Sequence, residues 1–390
     1  MNRDLFGDVA EVEGQEEGLD DVGGVSTITV HQSVVSGTDW TAETIISQID
    51  KGNIQLNPRF QRRDAWESSR KSQFVESLIL GLPIPQLVLA ESPAKRGSYI
   101  VIDGKQRLLS IRQFAAKAND PTFNQLKLSG LTIRDDLKGE TLETLRNDPT
   151  RGDDVAAFEN QPIRTVVIKN WGSENFLYQV FLRLNTGSVP LSTQELRQAL
   201  HPGEFLEFID EESVKSAGLK RVLKLKKPDF RMRDAELLTR WYAFQHFAPL
   251  YSGDLKTFLD NACAALNKLW TGNESQIRAE LLEFEASIDA CYNIFGDHAF
   301  RKWTSGNYER LFNRAIFDVM TYYFAVPHVR AAAEASPALV VQAFQDLCDN
   351  DEDFRASIER TTKSMGATSK RFDAWAGFLT TLSANVISPL

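Results

Sequence analysis

Asp103, Gly104, Lys105, Gln106 and Arg107 bring a carboxylate, a glycine, an amide and two cations together in consecutive positions. The run Ser98-Tyr99-Ile100-Val101-Ile102 before them is β-branched and aromatic and reads as a strand. Leu108, Ile111, Ala115 and Ala118 after them recur at helical spacing. A strand that turns through glycine into a helix leaves the first helical N–H groups without intrahelical partners. The helix dipole adds partial positive charge at the same end, so the turn suits an anion. A phosphate-bearing ligand fits this chemistry, with Asp103 available to hold its metal ion. The same pattern also fits a plain turn in which Asp103 caps the helix and the cations are solvated.

The elements around the turn follow from period and punctuation. Thr27–Val30 reads as a first strand, and residues 40–52 read as a helix capped by Thr41 or Thr44. A helix carrying Phe74, Val75, Leu78 and Ile79 stops at Gly81, and Pro83 and Pro85 lead the chain, extended, into the strand Leu87–Ala90. Gly97 then turns this strand back to pair with Tyr99–Ile102 as a hairpin. The polar stretch 117–161 reads as an insertion or peripheral subdomain. A strand returns at Ile163–Ile168, a helix follows over Glu174–Leu184, and Ser192-Thr193-Gln194-Glu195 is a capping box opening another helix. Beyond about residue 203 strands vanish, and helix-period segments at 230–247, 254–269, 275–294, 309–325, 334–348 and 370–384 predict a helical domain.

Composition narrows the class. With 42% hydrophobic and 25% charged residues over 390 positions, the chain is an ordinary globular protein with room for two domains. No apolar stretch approaches membrane-spanning length and the N-terminus lacks a signal-peptide plan, so a cytoplasmic location is expected. Cys263, Cys291 and Cys348 are far apart and read as reduced core thiols. Of the net charge of −9, residues 1–24 carry −7 and read as a disordered acidic tail.

On the nearly neutral remainder, Lys220, Arg221, Lys224, Lys226, Lys227 and Arg231 form a dense basic segment suited to a DNA backbone, or else a solvated linker. Arg62 offers a bidentate fork for phosphate, and Trp66 reads as core. Pro228-Asp229 with Asp254-Leu255-Lys256 imitates a nuclease pattern by coincidence. No phosphate-binding Gly-x-x-x-x-Gly-Lys loop and no His cluster of a metal-dependent nuclease occurs.

The chain resembles the N-terminal domain of GmrSD-type, modification-dependent (type IV) restriction enzymes, which has a ParB/sulfiredoxin-like fold. The family's Asp-Gly-Gln-Gln-Arg signature is matched at Asp103, Gly104, Gln106 and Arg107 and departs at Lys105. Asn57-Pro58-Arg59-Phe60-Gln61-Arg62 with Trp66, Leu78 to Pro85, and Phe181 to Gly187 with Leu191-Ser192 and Glu195-Leu196 are similar to further family blocks in the family's order. Arg233 to Arg240 has the same look. The resemblance implies an NTP-binding and NTP-hydrolysing module that senses modified phage DNA and licenses cleavage by an HNH nuclease domain, fused or separately encoded. It also places Gln61, Arg62 and Asn185 beside the nucleotide.

The expectation is therefore an α+β chain. A ParB/sulfiredoxin-like domain over 25–205, with the insertion 117–161, is followed by an all-helical domain over 206–390. Asp103, Gln106 and Arg107 are the candidate catalytic residues, with Asp103 also on Mg²⁺. Gly104, Lys105, Gln61, Arg62 and Asn185 are the candidate nucleotide ligands for GTP, UTP or CTP. DNA, a separate HNH-type subunit and a further copy of the chain are the expected partners. A DNA-binding module without turnover and a stand-alone endonuclease are the alternatives.

Overall fold

The computed structural model describes residues 33–54, 56, 63, 65–184, 192–359, 364–383 and 385–390. The expected strand Thr27–Val30 lies outside them. Compact packing divides the chain between Leu200 and His201. The α+β reading holds: a small sheet occupies the first unit, and the second is helical.

The first unit opens with strand β1 (Val34–Thr41), which hydrophobic period does not announce, and helix α1 (Ala42–Asp50). Thr41 caps α1 by accepting the Thr44 N–H at 3.1 Å, and Ala42, Ile45 and Ile49 fall on its buried stripe. Helix α2 (Ser68–Ile79) buries Phe74, Val75, Leu78 and Ile79 and ends beside Gly81 at φ +67°. Strands β2 (Leu87–Glu91) and β3 (Tyr99–Asp103) pair antiparallel, and Gly97 at φ +77° donates its N–H to the Glu91 carboxylate to close their loop.

Helix α3 (Lys105–Phe114) follows, then two short helices, α4 (Leu142–Asn147) and α5 (Gly152–Asn160). Strand β4 (Pro162–Lys169), α6 (Glu174–Leu184) and α7 (Thr193–Leu200) complete the unit. β4 lies between β1 and β2, antiparallel to the first and parallel to the second, giving the order β1-β4-β2-β3.

Both faces of this sheet are covered, and the strands show it in period two. Leu87, Leu89 and Val101 join a core with α1, α2 and α3, whereas Val88, Ala90, Ile100 and Ile102 join a second core with Phe176, Leu177, Phe181 and Leu196 of α6 and α7. The stretch 117–161 supplies Phe123, Leu126, Leu137, Leu142, Leu145 and Phe158 to the first of these cores. Its polar composition hid this role, because the contributing residues come from loops and short helices without a sustained period. Glu76 of α2 fixes the stretch by accepting the backbone N–H groups of Thr132, Ile133 and Arg134. Burial pushes the Glu76 carboxyl up, but these donors and the Thr132 hydroxyl outweigh it and hold the group below its ordinary pKa.

The second unit contains α8 (Glu204–Lys215), α9 (Ala217–Val222), α10 (Arg233–Phe247), α11 (Leu255–Phe295), α12 (Arg314–Phe324), α13 (Pro327–Ala335), α14 (Pro337–Asn350), α15 (Glu352–Glu359) and α16 (Met365–Leu379). The two helices expected over 254–269 and 275–294 are one 41-residue helix. Gly272 costs such a helix about 1 kcal/mol, which the burial of Trp270 and Ile277 on either side outweighs.

One short hairpin, β5 (Trp303–Thr304) with β6 (Asn307–Tyr308), is set among the helices of this unit. Ser305 and Gly306 both adopt positive φ, as a two-residue primed turn requires. The three cysteines are free and buried, and burial pushes the Cys348 thiol up to about 12. Among the described residues no helix is long and apolar enough to cross a membrane.

Candidate functional site

The edge strand β3 ends in a bulge. Asp103 pairs with Val88 while Val101 pairs with Leu89, so Ile102 is the extra residue. A bulge re-aims the strand end that follows it, here toward the start of α3. Gly104 is the N-cap of α3 at φ +102°. A Cβ at this position would sit 2.4 Å from Leu87 Cδ2, a side chain with no exposure, so both conformation and space demand glycine. No side chain caps this end of α3, which leaves the first-turn amides as donors.

The side chains of the turn divide into an outer and an inner set. Asp103 and Gln106 are partly exposed, whereas Lys105 and Arg107 are each 6% exposed. Arg107 reaches back over the glycine. Its Nη2 donates to Asp103 Oδ2 at 2.8 Å and to the Gln86 carbonyl at 3.0 Å, tying the end of β3 to the approach of β2. Lys105 Nζ donates to Glu195 Oε1 on α7, and that carboxylate is itself 7% exposed. Both cations therefore point inward, onto protein partners.

Two polar atoms here are buried without a hydrogen bond: Gln106 Oε1 and Arg107 Nε. Buried atoms without a hydrogen bond also occur in the second unit, as at Glu236 Oε1, Arg240 Nη1 and Trp375 Nε1, so the pair beside the turn is open to a further partner without by itself marking a site. Among the described residues Arg107 is the partner of the Asp103 carboxylate, on Oδ2, and the carboxylate keeps partial exposure.

The remaining expected site residues are placed as follows. Gln61, Arg62 and Asn185 lie outside the described residues. Their neighbour Arg63 is buried, and Trp66, expected in the core, is partly buried against it, edge-on to Phe74 with the Arg70 guanidinium 4.8 Å above its ring. Glu195 forms the expected capping box: its Oε2 accepts the Ser192 N–H at 2.8 Å, and Ser192 Oγ accepts the Glu195 N–H at 3.1 Å.

Its second engagement, with Lys105, was missed. The available signal was a lysine at the electropositive end of a helix, which calls for a nearby carboxylate. Asp229 and Asp254 act as local caps, the first binding Arg233 and the second the Thr257 N–H, so their nuclease-like spacing is coincidental.

In the second unit Lys220, Arg221, Lys224, Lys226, Lys227 and Arg231 are all exposed. Arg221 lies 3.6 Å over the Tyr292 ring, and Lys224 adopts φ +53° in the helix-ending position that glycine usually takes. The one acid of the segment, Asp229, is buried and paired with Arg233.

Comparison with known proteins bears on the first unit. No curated protein and no solved structure matches the chain, so the ParB/sulfiredoxin likeness rests on the motifs. Residues 42–202, which run from the start of α1 to just beyond α7 and include every residue of the turn, match the family described as GmrSD restriction endonuclease, N-terminal domain, the family that the motifs resemble.

Proposed function

We propose that this chain is the nucleotide-dependent sensor subunit of a restriction system, hydrolysing a nucleoside triphosphate at the Asp103–Arg107 turn and licensing a partner nuclease to cut DNA. The family match supports a restriction-system component acting on DNA. The observation that carries the nucleotide reading is the turn itself, a left-handed glycine at an uncapped helix start with two orphaned polar atoms beside it.

In this reading the triphosphate oxygens rest on the amides of the first turn of α3. Gln106, whose amide can present either its oxygen or its NH₂, takes the terminal phosphate or the attacking water. Asp103 Oδ1 suits Mg²⁺, which is commonly held by one or two carboxylates together with the phosphates of its own ligand. When bound, that ion supplies neutralisation of developing phosphate charge. Arg107 acts through Asp103, holding the carboxylate at the lip of the turn. Fixed donors aimed at spreading phosphate charge are what phosphoryl transfer chiefly needs.

The test is phosphate release from GTP, UTP, CTP and ATP with Mg²⁺, by wild type and by Asp103→Asn. The aspartate-to-asparagine exchange keeps shape and removes charge, so turnover should fall about 100-fold. Undiminished turnover in Asp103→Asn would remove this residue from the chemistry. The exposed basic segment favours one addition to this reading, that the second unit contacts the DNA backbone. DNA retention without nucleotide hydrolysis would instead support a binding module with no turnover.

A further inference from the structure

The Lys105–Glu195 pair ties two helix starts to one another. Lys105 is the first residue of α3, and Glu195 closes the capping box of α7. Glu195 uses both oxygens, Oε1 on the ammonium and Oε2 on the Ser192 N–H. The arrangement is anchored, because α7 packs on β3 and Leu196 shares a core cluster with Ile102, the bulged residue before Asp103. Both charges are nearly excluded from solvent, where an opposite charge in contact counts for more than it does in water. An ammonium at the electropositive end of a helix has two ways to be neutralised: a carboxylate from elsewhere in the fold, or an anion bound at that helix start.

We infer that Glu195 is a positioning residue of the turn. It is the resident counter-ion of Lys105, in direct competition with ligand phosphate for the ammonium, so that an anion at the turn is sensed at the cap of α7. This inference rests on the nucleotide-binding reading and adds to it the regulation of the site. It also gives a physical sense to the lysine found where the family usually carries glutamine: a formal charge at this position needs Glu195, and responds to phosphate, in a way a neutral amide does not. α7 is the last helix of its unit, ending at Leu200 where the chain passes to the second unit.

The experiment is equilibrium titration of the full chain with inorganic tripolyphosphate. Wild type is compared with Glu195→Gln, Glu195→Asp, Lys105→Gln, the Lys105→Gln/Glu195→Gln double variant and Ser192→Ala. Glu195→Gln keeps an acceptor for the cap but removes the carboxylate charge that competes for the ammonium, so it should bind about tenfold more tightly than wild type. Glu195→Asp, which keeps the charge, should stay near wild type. Lys105→Gln, the family's own residue, should bind about tenfold more weakly and with a shallower salt dependence, and the double variant should match it.

Ser192→Ala removes only the Oγ half of the capping box and keeps the backbone N–H that Glu195 accepts, so it should lower thermal stability and leave affinity near wild type. Glu195→Gln binding no tighter than wild type overturns the inference, as does Lys105→Gln binding as wild type does. The Lys105→Gln arm stands even if Glu195→Gln does not fold. Failure of the nucleotide reading looks different: wild type then binds no triphosphate. In that case a Glu195→Gln variant that gains tripolyphosphate binding upholds the counter-ion role, and one that gains none overturns it too.

Discussion

Gly104 is the residue the turn can least exchange. Alanine there combines a positive-φ penalty of about 1–3 kcal/mol with a collision against Leu87, which is sealed in the core and cannot swing away. Gly104→Ala should therefore lower unfolding free energy by about 2 kcal/mol or more. Urea unfolding at unchanged slope checks this, and a midpoint equal to wild type would show that the turn is not built as described. The strand, the glycine and the helix start were legible in five consecutive residues, because turn chemistry is local. The direction of the two cations was not. Lys105 finds its partner 90 positions later and Arg107 finds a carbonyl 21 positions earlier, and side-chain types alone do not report either distance.

Among the elements, the sheet and its helices were read nearly to the residue where hydrophobic period was strong, as at α2, β2, β3, β4 and α6. The share of the stretch 117–161 in the core was not legible, because its apolar residues lack a sustained period and the polar bonds that fix it are non-local. Three backbone N–H groups at residues 132–134 converge on Glu76 of α2, more than fifty residues upstream. Glu76→Gln should cost about 2 kcal/mol, the scale of hydrogen bonds to a buried charged group.

The sign with pH follows from the depressed pKa in the folded state. The stabilisation is fully present above the ordinary carboxylate range and is lost as pH falls through the lower folded value. The gap between wild type and variant is thus full at pH 7 and should narrow below about pH 4. Thermal unfolding at both pH values checks it, and a gap that widens in acid would contradict the assignment. The single 41-residue α11 carries a similar lesson, since burial on both sides of Gly272 overrides a local breaker that the sequence displays plainly.

At the scale of the whole molecule, charge is segregated by position along the chain. Residues 1–24 carry −7 of the net −9, while the six exposed cations of 220–231 sit in the second unit, where the segment's one acid, Asp229, is buried. DNA affinity should therefore be insensitive to sequence and fall steeply with salt. Neutralising Lys226, Lys227 and Arg231 together should reduce the log–log salt slope by about one for each phosphate that no longer meets a cation. Fluorescence anisotropy between 50 and 200 mM salt, approximate limits suited to such slopes, reads this out, and an unchanged slope would free the segment from DNA. That footprint was visible in composition, whereas its local geometry was not, since the Asp229–Arg233 pairing and the left-handed Lys224 are set by the folded chain.

The proposed nucleotide site at the Asp103–Arg107 turn is open to hydrogen–deuterium exchange of the full chain with Mg²⁺ and each of GTP, UTP, CTP and ATP. Phosphate oxygens seated on the start of α3 should slow exchange at the amides of residues 105–107 in wild type and leave Asp103→Asn unprotected there. Protection elsewhere in the chain with those three amides unchanged would contradict a triphosphate bound at this turn.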